Sequence, residues 1–334
     1  MRPVVALVEA RPETVADDYR RALALAGLDK APAAGPRALV ATLDGGAWQP
    51  GRTCPPWQVA AALAALKGAG PAASELMIAA VGPGGLQSWP SSAPWDLLRD
   101  AQPTRDAAAA AAAPLPAPAR PHMPGLEATG ARVAVPFALR HQPLLVLAAA
   151  DRVSGWGLGG ACAALGRLLL GGEPTRRGVS DAQVRSDIAA LAGELFPSIG
   201  AVVDGTLWHV GPKGRTVARH VVIAGDDPVA VDAIALRLAG LGPRDVPWLG
   251  VHAARGLGGV DPAQIRLVGH TGLLDLDFDL PEPTFAPRVR LPLPRNRWPL
   301  PALRPGARRA PANSGGPWSA LYDEMRAAGT AGHG

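Results

Sequence analysis

Val4-Val5-Ala6-Leu7-Val8 opens a stretch, closing at Glu75–Val81, whose order of elements decides the fold. The apolar run Val4–Val8 reads as a strand. Val15–Ala26 follows as a helix with Asp17, Asp18, Arg20 and Arg21 on its wet side. Ala38–Leu43 is a second strand. A turn-rich loop from Asp44-Gly45-Gly46 to Pro55-Pro56 leads into Trp57–Gly70. There Val59, Leu63 and Leu66 have helical spacing, and Gly68 and Gly70 end the helix. Glu75–Val81 is a third strand. This alternation predicts an α/β fold, layered, with a mainly parallel sheet flanked by helices.

Ala101–Gly125 interrupts the rhythm. Polyalanine (Ala107–Ala113) runs into Pro114, Pro116, Pro118, Pro121 and Pro124, the composition of a low-complexity insertion or exposed linker. Strands resume at Arg132–Phe137 and Leu144–Ala148. Helices are expected at Gly157–Leu170, Val184–Leu195, Val229–Ala239 and Val246–Arg255, with strands at Ile199–Asp204, Val217–Ala224 and Ile265–Val268. The α/β domain thus spans residues 1–280. Residues 281–334 form a Pro/Arg-rich tail, Pro-rich over Pro281–Gly316, with a short terminal helix at Trp318–Ala328.

The chain has 334 residues, with 40 Gly, 36 Pro and a net charge of +5. From Pro281 onward there are eight Arg against three acids, so the first 280 residues are neutral, with 25 charges of each sign. The body lacks the basic excess of nucleic-acid binders, so no nucleic-acid partner is expected. Only two cysteines occur, Cys54 and Cys162, without a CxxC motif. One chain therefore carries too few thiolates for an intrinsic iron–sulfur cluster, and isolated thiols suit a reducing, cytoplasmic setting. The Val4–Val8 run is shorter than a signal-peptide core. The greasiest region, Pro143–Gly172, is broken by Asp151-Arg152 and lacks the roughly 18 apolar residues of a membrane span.

Candidate site residues concentrate between Ile199 and Gly269. Asp204, followed by Gly205, is either a strand-end site carboxylate or a common turn. Gly211-Pro212-Lys213-Gly214 has the composition of a tight turn whose glycine-freed amides and Lys213 would also suit a phosphate; it is not a Walker loop. Asp227-Pro228 reads as a helix cap with proline in the first helical position, at a strand-to-helix turn where ligands bind in parallel sheets. Asp232 lies among Val229, Ala230, Val231, Ala233, Ile234, Ala235 and Leu236. Burial there demands a partner, so it is either a structural carboxylate or a site carboxylate. His141, His209, His220 and His252 are dispersed, without a metal-binding spacing, and no metal site is expected.

The succession Asp204-Gly205, Gly211-Pro212-x-Gly214, Gly225-x-Asp227-Pro228-x-Ala230-x-Asp232-Ala233 and Gly256-x-Gly258 resembles domain-of-unknown-function family 362. That family is associated with iron–sulfur proteins because many members carry a ferredoxin-like module, which this chain lacks. Upstream, Val135-Pro136 with His141 resembles the family's Val-Pro-Lys-x-Lys-x-His segment. Ala164-Leu165-Gly166-Arg167-Leu168 resembles its Ala-Leu-Lys-Asn-Leu segment. Ala41-Thr42-Leu43 replaces the family's Lys-Pro-Asn, Leu139 replaces a lysine, Gly166-Arg167 replaces Lys-Asn, and Leu207-Trp208-His209 replaces Met-Glu-Gly. The polar types lost are those that bind anions and move protons.

Two readings follow. In the first, the resemblance implies a redox-associated or cofactor-handling enzyme with an altered site. His141, Asp204 and Asp232 are then the catalytic candidates, and Gly211, Lys213, Gly214 and Asp227 the cofactor-binding ones; the cofactor is unknown. In the second, the chain is a non-catalytic accessory or scaffold paralogue whose basic segment, residues 281–316, grips a protein partner. A cleft shared by His141, Asp204 and Asp232 discriminates between them.

Overall fold

The computed structural model describes residues 2–30, 37–43, 48–68, 76–82, 85–91, 94–95, 98, 104–106, 112–114, 123–129, 133–151, 160–170, 181–210, 215–242, 245–257, 259–275 and 316–331. The strands are β1 (Val4–Glu9), β2 (Ala38–Thr42), β3 (Leu76–Gly82), β4 (Gly85–Gln87), β5 (Thr104–Asp106), β6 (Ala112–Pro114), β7 (Ala134–Pro136), β8 (Leu144–Asp151), β9 (Ile199–Val210), β10 (Arg215–Gly225) and β11 (Arg266–Gly269). The helices are α1 (Val15–Leu25), α2 (Pro56–Gly68), α3 (Pro124–Thr129), α4 (Ala161–Leu170), α5 (Asp181–Leu195), α6 (Pro228–Leu238), α7 (Pro247–Ala254) and α8 (Gly316–Ala331).

Among the described residues, nine strands form one mixed sheet in the order β11-β1-β10-β9-β8-β2-β3-β4, with β5 also on β3. Only β4 and β10 run against the rest. The apolar runs explain the architecture. β8, Leu-Leu-Val-Leu-Ala-Ala-Ala-Asp, is buried at every position, as a strand covered on both faces must be. Alternate residues feed two cores. Leu145, Leu147, Val202 and Val222 pack with α1, α2 and Trp318 of α8 on one face. Val146, Ala201, Val203 and Ile223 pack with α3, α4, α5, α6 and α7 on the other.

The α/β layers are as expected from the sequence, but several boundaries move. β9 and β10 form a hairpin far longer than Ile199–Asp204 and Val217–Ala224 suggest. Asp204-Gly205 is therefore neither turn nor strand end; it lies within β9, where the regular parallel register with β8 is broken before it resumes at Asp151 and His209. Gly205 allows this path. A Cβ there would lie 2.6 Å from Val221 Cγ1 and 2.7 Å from the Trp208 indole nitrogen, which bonds the Gly205 carbonyl at 2.8 Å. The expected linker at 101–125 contains β5 and β6, and β6 pairs with β7. Residues 276–315, most of the expected tail, lie outside the described residues.

Gly205→Ala is expected to cost about 1–3 kcal/mol, because neither β10 nor Trp208 can retreat without loss of packing. Urea denaturation checks this: the midpoint falls while the slope stays that of the parent.

Candidate functional site

Parallel sheets bind ligands where successive connections leave in opposite directions. Here β2 passes through α2 on one face to β3, and β8 passes through α4 and α5 on the other face to β9. The carboxyl ends of β2 and β8, side by side, mark this switch point.

Among the described residues, little polar capacity is open there. Thr42 closes β2; its carbonyl accepts the Cys54 amide at 2.8 Å, and its hydroxyl lies 3.1 Å from the Cys54 thiol. Burial pushes that thiol up to about 12, so it stays protonated. The buried Gln58 donates to the Ala148 and Val202 carbonyls at 3.2 and 3.0 Å, bridging β8 and β9 where they part. At the rim, Asp151 pairs in register with His209, and Arg52 approaches Asp151 at 3.8 Å. Burial, reinforced by the Arg52 charge, holds the half-buried His209 imidazole below its ordinary value. Sequence reasoning missed Arg52 and Asp151 because 99 residues separate them and neither belongs to a motif. Gly51 brings the two segments together: a Cβ there would lie 2.5 Å from the His209 amide nitrogen. Positions 41–43 and 207–209, two of the places where the family resemblance fails, therefore both border this edge.

The three catalytic candidates do not meet. Asp204 lies next along the sheet, on the α1/α2 face, and is buried. Its carboxylate accepts from the Tyr19 hydroxyl, the Trp57 indole at 3.3 Å, the Thr206 amide at 2.8 Å and the Thr206 hydroxyl at 2.6 Å. A carboxylate offers about four acceptor positions, so this one is saturated. Burial still raises its pKa against the pull of those donors, and raises that of Tyr19 further.

Asp232 faces the opposite core. It accepts the Ala161 and Cys162 amides at 2.7 and 2.8 Å and so caps α4 from a neighbouring helix. A Cβ on Gly160 would overlap its Oδ1. Burial pushes Asp232 up to about 7, against the two amides that favour its charge. Asp227 caps α6, accepting the Val229 and Ala230 amides at 2.8 and 3.1 Å. His141 is exposed in a left-handed turn (φ 63°) before β8. Asp204 is level with Ala149, about 17 Å further along the sheet at the usual rise per residue, so the two lie at opposite ends of the strands. Gly211, Lys213 and Gly214 lie outside the described residues.

A second buried network was not legible in the sequence. Asp187 of α5 caps α3 through the Gly125 and Leu126 amides at 2.7 and 3.1 Å, and Arg255 donates to it at 2.6 Å. Arg255 also donates to the Ser186 hydroxyl at 3.0 Å, and Ser186 lies 3.2 Å from His252 Nδ1. A serine beside a histidine has the makings of a nucleophile and base. Both, however, are enclosed in the core. The network braces α3, α5 and α7. Burial, then Arg255, holds His252 down to about 4.

Among the described residues, no group of three or more His, Cys, Asp or Glu side chains could hold a metal ion, and no helix is long and apolar enough to cross a membrane. No protein-family model, curated protein or solved structure matches this chain.

The depressed histidine makes stability pH-dependent. Because its folded value lies below the unfolded one, the His252 contribution is complete above about 6.5 and is lost as pH falls toward 4. That loss is expected to reach roughly 3 kcal/mol. Denaturation at a series of pH values checks it, since His252→Gln is expected to flatten the acid slope in this window.

Proposed function

We propose that this chain is a non-catalytic accessory protein that presents a basic, proline-rich segment to an acidic protein surface. The observation carrying this reading is the commitment of the candidate catalytic carboxylates to the fold: Asp232 caps α4, and Asp204 is saturated by Tyr19, Trp57 and Thr206. Leu43 and Leu139, standing where the family resemblance calls for asparagine and lysine, are both core residues. The body is thus a scaffold of family-362 type with its polar site altered, and it needs no cofactor for this role.

The segment itself supplies the binding chemistry. Residues 281–315 hold seven arginines and nine prolines against one acid, Glu282. Prolines favour an extended form with little entropy to lose, and guanidinium groups pair bidentately with carboxylates. The segment is also held at both ends, by the ordered turn Thr271–Asp275 and by α8, which packs on the α1/α2 face through Trp318. Both cysteines are free and buried, which accords with the reducing cytoplasm assigned to it.

Exchange of Arg288, Arg290, Arg295, Arg297, Arg304, Arg308 and Arg309 for Gln tests the reading. The parent is expected to be retained on immobilised polyglutamate at about 0.15 M salt and the variant to flow through. Equal elution of the two would overturn the assignment, as would tighter retention of the parent on duplex DNA than on polyglutamate.

A further inference from the structure

Among the described residues, α8 docks on the α1/α2 face through one side of the helix. Trp318, in its first turn, is the only buried residue of the helix among those described; Leu321, Tyr322 and Met325 are partly buried along the same face. The Trp318 ring lies 5.3 Å from that of Trp57, and Tyr322 lies 4.6 Å from Trp48. This is the pattern of an amphipathic helix laid in a groove, with anchors three to four residues apart. A polar contact accompanies these rings: the Trp318 indole nitrogen donates to His220 Nδ1 at 3.2 Å.

An indole N–H is only a donor, so this bond requires Nδ1 to accept. A protonated imidazole carries hydrogen on both nitrogens and cannot do so. Nor does cation–π attraction replace the bond. The imidazole sits off the N–H edge of the indole, where the ring quadrupole is positive, and not over its negative face.

We infer that α8 is a pH-sensitive latch: it is docked while His220 is neutral and released when His220 takes up a proton.

The surroundings of His220 fit this role. It occupies the irregularity in β10 between Ala218 and Val221, in the left-handed region at φ 55°, and its carbonyl accepts the Ala10 amide at 2.8 Å. The backbone is thus pinned while the ring faces α8. Burial holds the imidazole below its ordinary value. Glu9 and Glu13, on the β1 side, pull it upward, and Arg219 pushes it down. The charged side chains of α8 (Asp323, Glu324 and Arg326) begin more than a turn beyond Trp318 and are exposed, with Arg326 paired to Asp323 at 3.6 Å. With the folded value depressed, docking is complete above the ordinary histidine range and weakens as pH falls below it.

Hydrogen exchange of the whole chain, corrected for the intrinsic pH dependence of the rate, reads docking directly and independently of partner binding. From about pH 7.5 to about pH 5, protection of the amides of residues 316–331 is expected to fall about tenfold or more, while the amides of α6 stay protected. His220→Asn keeps an acceptor oxygen that does not titrate, and asparagine tolerates the left-handed conformation. Its α8 is expected to stay protected, within about twofold, across the same range. Trp318→Phe keeps a buried ring without the donor; its α8 is expected to be less protected at neutral pH and insensitive to acid. Unchanged protection of α8 in the parent at low pH would overturn the inference. So would a parent-like fall in both variants. Should His220→Asn not fold, Trp318→Phe decides alone: a parent-like acid response refutes the latch, and a flat one supports it.

Discussion

A helix that begins inside a protein core carries amides that neither its own turns nor water can satisfy. In this chain that debt is met by aspartates. Asp232 turns from α6 to the first amides of α4, Asp187 turns from α5 to those of α3, and Asp227 closes the start of its own helix. Each carboxylate is itself costly to bury, and each amide pair is costly to leave open, so neither is stable without the other. The Asp232 and Asp187 pairs fix how the helices on one face sit against each other. They also commit those carboxylates to backbone amides.

The parallel body was legible because its strands are long apolar runs interrupted by helical spacing. Val4–Val8 and Leu144–Ala148 announce themselves that way. The hairpin of β9 and β10 was legible only in part. Beyond Asp204, the stretch Gly205-Thr206-Leu207-Trp208-His209-Val210 loses the uniform apolar character, where the register with β8 is broken and β10 supplies most of the pairing. The antiparallel insertion of β10 between β1 and β9 is a long-range choice of partner. No local pattern encodes it.

The candidate residues were legible as types but not as places. Asp232 stood out because a carboxylate amid valines and alanines must have a partner, yet the partner is a pair of backbone amides about 70 positions away, which have no signature in side-chain spacing. His141 drew notice through a family pattern, and the strand geometry sets it at the end of the sheet opposite Asp204. Arg52 and Asp151 escaped notice because only the fold makes them neighbours. His252 and Ser186 are close for the same reason, and their enclosure turns a familiar pair of reactive types into a brace.

The attachment of α8 makes the intervening segment a covalent tether. While the tether is intact, the groove sees its helix at a high effective concentration and a modest set of contacts suffices. One peptide bond cut anywhere between Asp275 and Gly316 turns that encounter into a bimolecular one. The helix then diffuses away at ordinary dilution, and no return of pH brings it back. Proteolysis at this segment would therefore expose Trp48, Trp57 and His220 permanently, converting a reversible contact into a one-time event.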